Sequence, residues 1–324
     1  MNTQVSDCRT VVREAMEVYA FNEFEPKELY DACHYILSLG GKRIRPVLCL
    51  MGNLLFDGDL NDAIKPALGI EFFHNFTLMH DDIMDQAPLR RGKQTVHLKY
   101  DLGTGILSGD ALIVQAYRMF EDLPADKFKH IVQLFSKTAE ELCEGQQYDK
   151  NFETLFEVSY EDYIRMIEYK TAVLVAAALQ IGAITAEADL KNQSYLYEFG
   201  RNLGIAFQLQ DDYLDVFGEG AFGKLHAGDI IENKKTILYV KAIELSDKEN
   251  QKALKDWYSS YTEDPQKIEA VKLIFQSVGA DMAARELIEE FTQKAMNFLD
   301  KVEVDETNKL PLRELANELM KRKI

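Results

Sequence analysis

The stretch KPALGIEFFHNFTLMHDDIMDQ, residues 65–86, is a long apolar run that ends in three carboxylates. Its apolar positions recur at three and four, the helical period. Pro66 is suited to a first turn, and Pro88 lies beyond the end. The sequence therefore reads as a helix over 65–86 with an acidic C-terminus. A second segment of the same plan covers 189–217 and ends in Asp211-Asp212-Tyr213-Leu214-Asp215.

Outward from these two, helical periodicity continues over 4–20, 26–39, 46–55, 107–123, 126–148 and 160–184. It resumes over 234–247, 249–261, 264–277, 279–301 and 309–322. No strand-like alternation stands out. Residues 218–233, with four glycines, read as a loop. With only seven prolines in 324 residues and no linker-like tract, the expectation is one all-α domain over 1–324, a bundle of ten or more helices.

The chain is 47% hydrophobic and 28% charged, enough for a sizeable core. Its formal charge of −17 excludes the basic face that a nucleic-acid binder needs. It does not exclude a small anionic substrate, because the cations are clustered at Lys42-Arg43-Ile44-Arg45, Arg90-Arg91-Gly92-Lys93 and Asn233-Lys234-Lys235. Cys8, Cys33, Cys49 and Cys143 form no CxxC pair, which fits a reducing compartment, the cytoplasm. The N-terminus lacks a signal-peptide plan, and no stretch approaches 18 uninterrupted apolar residues, so no membrane span is expected.

Each aspartate motif is D-D-x-x-D, so on a helix Asp81 and Asp85 share one face, as do Asp211 and Asp215. Like charges at that spacing, at the negative end of the helix dipole, are costly unless a cation meets them. One such motif could be a solvated acidic helix end. Two copies point to a metal site, and hard carboxylate oxygens suit Mg²⁺.

Basic partners lie near. Gly40-Gly41-Lys42-Arg43-Ile44-Arg45-Pro46 is a glycine-hinged turn at a helix start, suited to an anion, although alone it reads as a surface loop. Arg90 and Arg91 follow the first motif within one short loop. Lys170-Thr171 opens an apolar helix, where a lysine can also simply snorkel. Lys224 lies in the glycine-containing loop and Lys234 just after it, and loops beside a site often act as lids. His74 lies two turns before Asp81 on nearly the same face.

With GGKRIRP, HNFTLMHDDIMDQAPLRRGKQT, EGQQYD, YKTAVL, GIAFQLQDDYLDVFG and GKLHAGDIIENKKT in this order, the chain resembles the trans-isoprenyl diphosphate synthases over nearly its whole length. The resemblance implies an all-helical fold around a central cavity, a homodimer, Mg²⁺, and two substrates, isopentenyl diphosphate and an allylic diphosphate. It implies Asp81, Asp85 and Asp211 as principal metal ligands, supported by Asp82, Asp212 and Asp215. The catalytic group becomes Asp81, Asp82, Asp85, Lys170, Asp211 and Asp212. Arg90, Lys170, Thr171, Gln208, Lys224 and Lys234 would meet the allylic diphosphate and its developing cation. Lys42, Arg45, His74 and Arg91 would hold isopentenyl diphosphate. Asn233 stands where the family often has glycine.

The chemistry would be head-to-tail condensation: diphosphate departs, the allylic cation is attacked by the isopentenyl double bond, and a proton is lost. The resemblance also assigns chain length to the helix below Asp81, where Phe73, Phe76 and Thr77 lie; by default such rings are ordinary core aromatics. The expected product is geranylgeranyl diphosphate, with farnesyl diphosphate the runner-up. A terpene cyclase, a non-enzymatic modulatory subunit and an acidic Ca²⁺ scaffold rank lower, because the paired motifs and the basic clusters go unused in them. The C-terminal Lys321-Arg322-Lys323 reads as a solvated helix end.

Overall fold

The computed structural model describes residues 3–19, 21, 23–218 and 227–321. It is all-α. In chain order the helices are α1 (Thr3–Val18), α2 (Lys27–Ser38), α3 (Ile44–Leu54), α4 (Leu60–Met84), α5 (Val96–Lys99), α6 (Leu102–Arg118), α7 (Ala125–Phe152) and α8 (Tyr160–Ile167). A single π-helical turn, Glu168–Ala172, leads into α9 (Val173–Thr185) and α10 (Leu190–Phe217). Then follow α11 (Gly228–Ile231), α12 (Ile237–Leu245), α13 (Lys248–Trp257), α14 (Pro265–Ser277), α15 (Ala280–Lys301) and α16 (Glu306–Met320).

Among the differences from the sequence reading, four have a clear local reason. Helix α4 starts at Leu60 because the Asp59 carboxylate accepts from the Asn61 amide at 2.9 Å. Pro66 therefore lies inside the helix rather than in its first turn, at the cost of one backbone hydrogen bond. Helix α6 starts at Leu102, not 107, capped by Asp101, which accepts from Thr104 N at 2.9 Å. Gly103 and Gly105 had disguised that start, glycine being a poor helix former. The expected loop over 218–233 contains the short α11.

The fourth difference is a hairpin. Leu89–Arg90 (β1) pairs antiparallel with Lys93–Gln94 (β2), Arg90 opposite Lys93. Arg91 (φ 54°) and Gly92 (φ 75°) form its turn, the left-handed pair that a two-residue hairpin loop requires. Strands of two residues are too short to show alternation.

The chain divides into two compact units. Unit 1 is Met1–Ser136, Ala177–Leu196 and Glu303–Glu314. In it, α4 packs along α6 and α3, with α2 on α6 and α1 on α3. Ile70, Phe72 and Phe73 on α4 and Leu48 and Leu50 on α3 are buried there. Unit 2 is Lys137–Ala176, Tyr197–Val302 and Leu315–Ile324. Helix α12 packs on α8, α13, α14 and α15. Its core includes Tyr163, Leu209, Val216, Leu238, Tyr239 and Phe275, each fully or nearly fully buried. Full burial of such a side chain is worth about 1.5–3 kcal/mol.

The segment Tyr160–Thr185 is long and apolar enough, by length and composition, to cross a membrane. Of its most apolar window 67% is buried inside the protein, which is the pattern of a core helix. All four cysteines are free thiols. Burial pushes the Cys8 thiol up to about 11 and the Cys33 thiol up to about 12, so both stay protonated and behave as small apolar groups.

Candidate active site

In unit 1 the first motif occupies the last turn of α4. Asp85 is the C-cap, and its amide donates to Asp81 O at 2.8 Å. Asp81 is partly exposed and Asp85 exposed, whereas Asp82, one residue round the helix, is 1% exposed. Asp82 does not join the other two. Its oxygens accept from Arg90 Nε at 3.0 and 3.2 Å. Burial pushes the Asp82 carboxyl up, and the Arg90 guanidinium pulls it back down. The motif thus divides into an outward pair and an inward anchor that fixes β1.

The glycine-hinged turn is held in the same manner. Arg43 is left-handed (φ 49°) at the start of α3. It donates to buried Glu71 and to Leu37 O. Asn75 Nδ2 donates to the same Glu71 carboxylate at 2.8 Å. With Arg43 turned inward, Lys42 is exposed, and Arg45 reaches His74 Nε2 at 3.2 Å. A guanidinium can only donate, so Nε2 accepts and the proton of neutral His74 is on Nδ1. Burial, then Arg45, Arg91, Arg43 and Arg90, hold the imidazole well below its usual range. Arg91 donates to Gly40 O, which joins the hairpin to the turn. Four guanidiniums thus place their positive charge around a neutral histidine.

Of the chain-length candidates, Phe73 is 1% exposed and stacks edge-on against Phe135 at 5.0 Å, an ordinary core ring. Phe76 is only partly buried and meets the His80 ring at 4.8 Å. Thr77 Oγ1 donates to His74 O at 2.8 Å, so its hydroxyl is spent within the helix.

In unit 2 the second motif repeats the division. Asp212, 4% exposed, accepts from Gln208 Nε2 at 3.0 Å, from Ile237 N at 3.1 Å and from the Tyr163 hydroxyl. Burial carries its carboxyl up to about 6. Asp215 accepts from Asp229 N at 2.9 Å, which brings the Asp229 carboxyl beside the motif. Burial, with Asp212 and Asp215 nearby, lifts Asp229 to about 7. Lys234 lies 3.6 Å from Asp229 and 2.9 Å from Glu232.

The π turn carries Lys170, whose Nζ donates to Asp149 at 2.5 Å, and Thr171, whose hydroxyl donates to Gln208 Oε1 at 3.1 Å. A continuous chain runs from Thr171 through Gln208 to Asp212 and Tyr163. Flanking helices reach this turn only because they present no side chain: a Cβ at Gly145 would lie 2.3 Å from Lys170 N, and one at Gly204 2.6 Å from Ala172 Cα. Lys224 lies outside the described residues.

Among the described residues, no group of three or more His, Cys, Asp or Glu side chains is gathered to hold a metal unaided. The donor chemistry still fits Mg²⁺. That ion characteristically takes one or two carboxylates and completes its shell with water and substrate phosphate oxygens. The outward pairs Asp81/Asp85 and Asp211/Asp215 offer that number.

The sequence reading missed Glu71, Asp149, Tyr163 and Asp229. Glu71 had a signal, as a lone carboxylate within an apolar helix stretch; Asp229 had one in the acidic step of the glycine-containing loop. Tyr163 had none, since a tyrosine on an amphipathic helix reads as core.

Comparison with known proteins gives one answer. The family profile for polyprenyl synthetase matches residues 26–275. A crystal structure of a geranylgeranyl pyrophosphate synthase superposes with a TM-score of 0.95 at 48% identity, covering 100% of both chains. The geranylgeranyl pyrophosphate synthase of Geoglobus acetivorans is 38% identical over 74% of this chain and 76% of its own. The geranylfarnesyl diphosphate synthase of Natronomonas pharaonis is 34% identical over 99% of this chain and 98% of its own.

Proposed function

The chain belongs to the polyprenyl synthetase family and is a short-chain trans-prenyltransferase, and on that premise we propose that it condenses isopentenyl diphosphate with allylic diphosphates up to geranylgeranyl diphosphate. The observation that carries this reading is the split within each aspartate motif. In both, the inner carboxylate is buried and held by hydrogen bonds, whereas the outer two are less buried, an arrangement that suits a diphosphate–metal receptor.

Asp81 and Asp85, with Asp211 and Asp215, would hold Mg²⁺, which supplies electrostatic stabilisation of the departing diphosphate. The protein's own groups do the rest. Arg90, oriented by Asp82, offers its remaining N–H groups to the allylic diphosphate, as do Lys170 and Lys234. Gln208 and Thr171 present oxygens toward the developing allylic cation. Lys42, Arg45, Arg91 and the Nδ1–H tautomer of His74 bind isopentenyl diphosphate. A neutral histidine beside several guanidiniums binds without taking a proton from the reaction. The product proton then leaves with the released diphosphate.

Phe76 supports a product of limited length, being the ring below Asp81 that is not locked in the core. Phe76→Ala is expected to lengthen the major product by at least one five-carbon unit; an unchanged product length rejects Phe76 as the floor. The whole chain, 1–324, is read as one synthase domain, consistent with the full-length structural match. A homodimer through α6 is supported by Leu102, Ile106, Leu107 and Val114, all exposed on that helix. The free cysteines agree with a cytoplasmic setting.

The test is incubation with isopentenyl diphosphate and dimethylallyl, geranyl or farnesyl diphosphate, with and without Mg²⁺, followed by dephosphorylation and mass spectrometry. A Mg²⁺-dependent prenyl alcohol series ending at twenty carbons is the expected result. No condensation with any primer, from folded protein, overturns the reading.

A further inference from the structure

Unit 2 contains two buried lysines that no step above uses. Lys267 on α14 is 0% exposed and Lys235 is 6% exposed. Among the described residues neither is paired with a carboxylate. Burying an ammonium is expensive unless its protons are all met. Lys267 meets this condition with carbonyl oxygens: Asn233 Oδ1 at 2.6 Å, Ile231 O at 3.3 Å and Ser260 O at 3.3 Å. Ile231 O closes α11, and Ser260 O lies three residues past the end of α13. Lys235 donates to Asn233 O at 2.8 Å. Both ammoniums lie over the face of Tyr258, at 5.3 and 5.6 Å from its centroid. Desolvation lowers both lysines, and the charge of Lys267 lowers Lys235 further.

Both lysines therefore grip the same residue, Asn233, one by its side chain and one by its backbone. Asn233 is left-handed (φ 60°) and immediately precedes Lys234. Lys234 N donates to Asp229 O at 2.9 Å, which fixes the other side of the turn. The clamp meets the two ammoniums with neutral oxygens and the face of Tyr258. Its effect is to fix the direction in which exposed Lys234 leaves the backbone.

We propose that Lys267, through Asn233, is a positioning residue that aims Lys234 at the allylic diphosphate. The inference rests on the reading of Lys234 given above. Lys267 touches no substrate. It converts a long, flexible cation into an oriented one, reducing the freedom that Lys234 loses on binding.

The experiment compares Lys267→Met, Asn233→Gly, Lys234→Ala and the double variant Lys267→Met/Lys234→Ala. Michaelis constants are measured separately for the allylic and the isopentenyl substrates. Methionine keeps the stem and the volume. Glycine tolerates the left-handed turn and removes only the Oδ1 tie, so it remains informative should Lys267→Met fail to fold. Lys267→Met and Asn233→Gly are expected to raise the allylic KM by about tenfold, the scale of one charge-assisted hydrogen bond, with the isopentenyl KM within about twofold. In the Lys234→Ala background Lys267→Met is expected to add nothing further. Equal losses toward both substrates, or full additivity in the double variant, overturn the proposal. If Lys234→Ala itself leaves the allylic KM unchanged, the placement of Lys234 at that substrate falls. If Lys234→Ala raises the allylic KM while Lys267→Met and Asn233→Gly do not, only the positioning role falls.

Discussion

In α4 the inner aspartate, Asp82, is met by a guanidinium; in α10 its counterpart, Asp212, is met by a phenol, a side-chain amide and a backbone N–H. The two motifs share the D-D-x-x-D pattern and the same division of labour. They differ in what neutralises the buried carboxylate. Burial raises both groups. At Asp82 a cation offsets the rise, and the pair behaves as a small buried salt bridge. At Asp212 neutral donors offset less, and the carboxyl titrates near 6. A motif read as one repeated unit is thus two units, one anchored by charge and the other by hydrogen bonding.

The largest expected effect ignores that difference. Asp81→Ala and Asp211→Ala, each removing one outward ligand, should each lower kcat by about 10³-fold with little change in unfolding midpoint. A loss confined to one motif would show that only one set of outward aspartates serves the reaction.

The next effect depends on the difference. Asp82→Asn leaves Arg90 without its counter-charge and should cost roughly 2 kcal/mol in urea unfolding, below the 3–5 of a fully enclosed pair because Arg90 is partly exposed. Asp212→Asn retains an uncharged acceptor among uncharged donors and should cost about 1 kcal/mol. Equal costs would erase the contrast.

The last effect, confined to a window of pH, lies in unit 2. Asp212 is raised to about 6 and Asp229 to about 7, so both favour the protonated folded state. Stability from a raised carboxyl is fully present below the unfolded pKa, near 4, and is lost as pH climbs through the folded value. In chelator, Asp229→Asn should match the parent near pH 4 and gain on it up to about pH 7. The limiting slope is about 1.4 kcal/mol per pH unit for one proton. Saturating Mg²⁺ should shrink that gain, because a cation supplies what protonation supplied. A flat difference across this window would mean that Asp229 is ionised throughout.

The helical class, both motifs and every basic cluster were legible because they depend on local spacing. The inward residues were only partly so. Glu71, Asn75 and Asp82 fall at intervals of four and seven along α4, a buried polar stripe beside the outward Asp81/Asp85 face. Helical geometry alone separates Asp82 from Asp81 by about 100°, so that half of the division was present in the spacing. What Asp82 would meet was not, since Arg90 reaches it through a hairpin of two-residue strands. Tyr163 and Ile237 reach Asp212 from remote positions in the chain, and no periodicity in α10 announces them. The left-handed Asn233 was seen only as a substitution for glycine. Its grip by two lysines is a tertiary fact.

The π turn at Glu168–Ala172 adds one residue to what would otherwise be an unbroken helix. It acts as an accommodated insertion: the extra residue is absorbed locally, and the apolar sides of α8 before it and α9 after it both remain inward. Deleting a single residue there would tidy the backbone into regular α-helix and rotate everything downstream by about 100°. Buried Val173, Leu174 and Ala176 would then point the wrong way. The irregular turn that sets Lys170 and Thr171 apart is therefore hard to lose by small steps, since restoring regularity would unmake the packing that follows it.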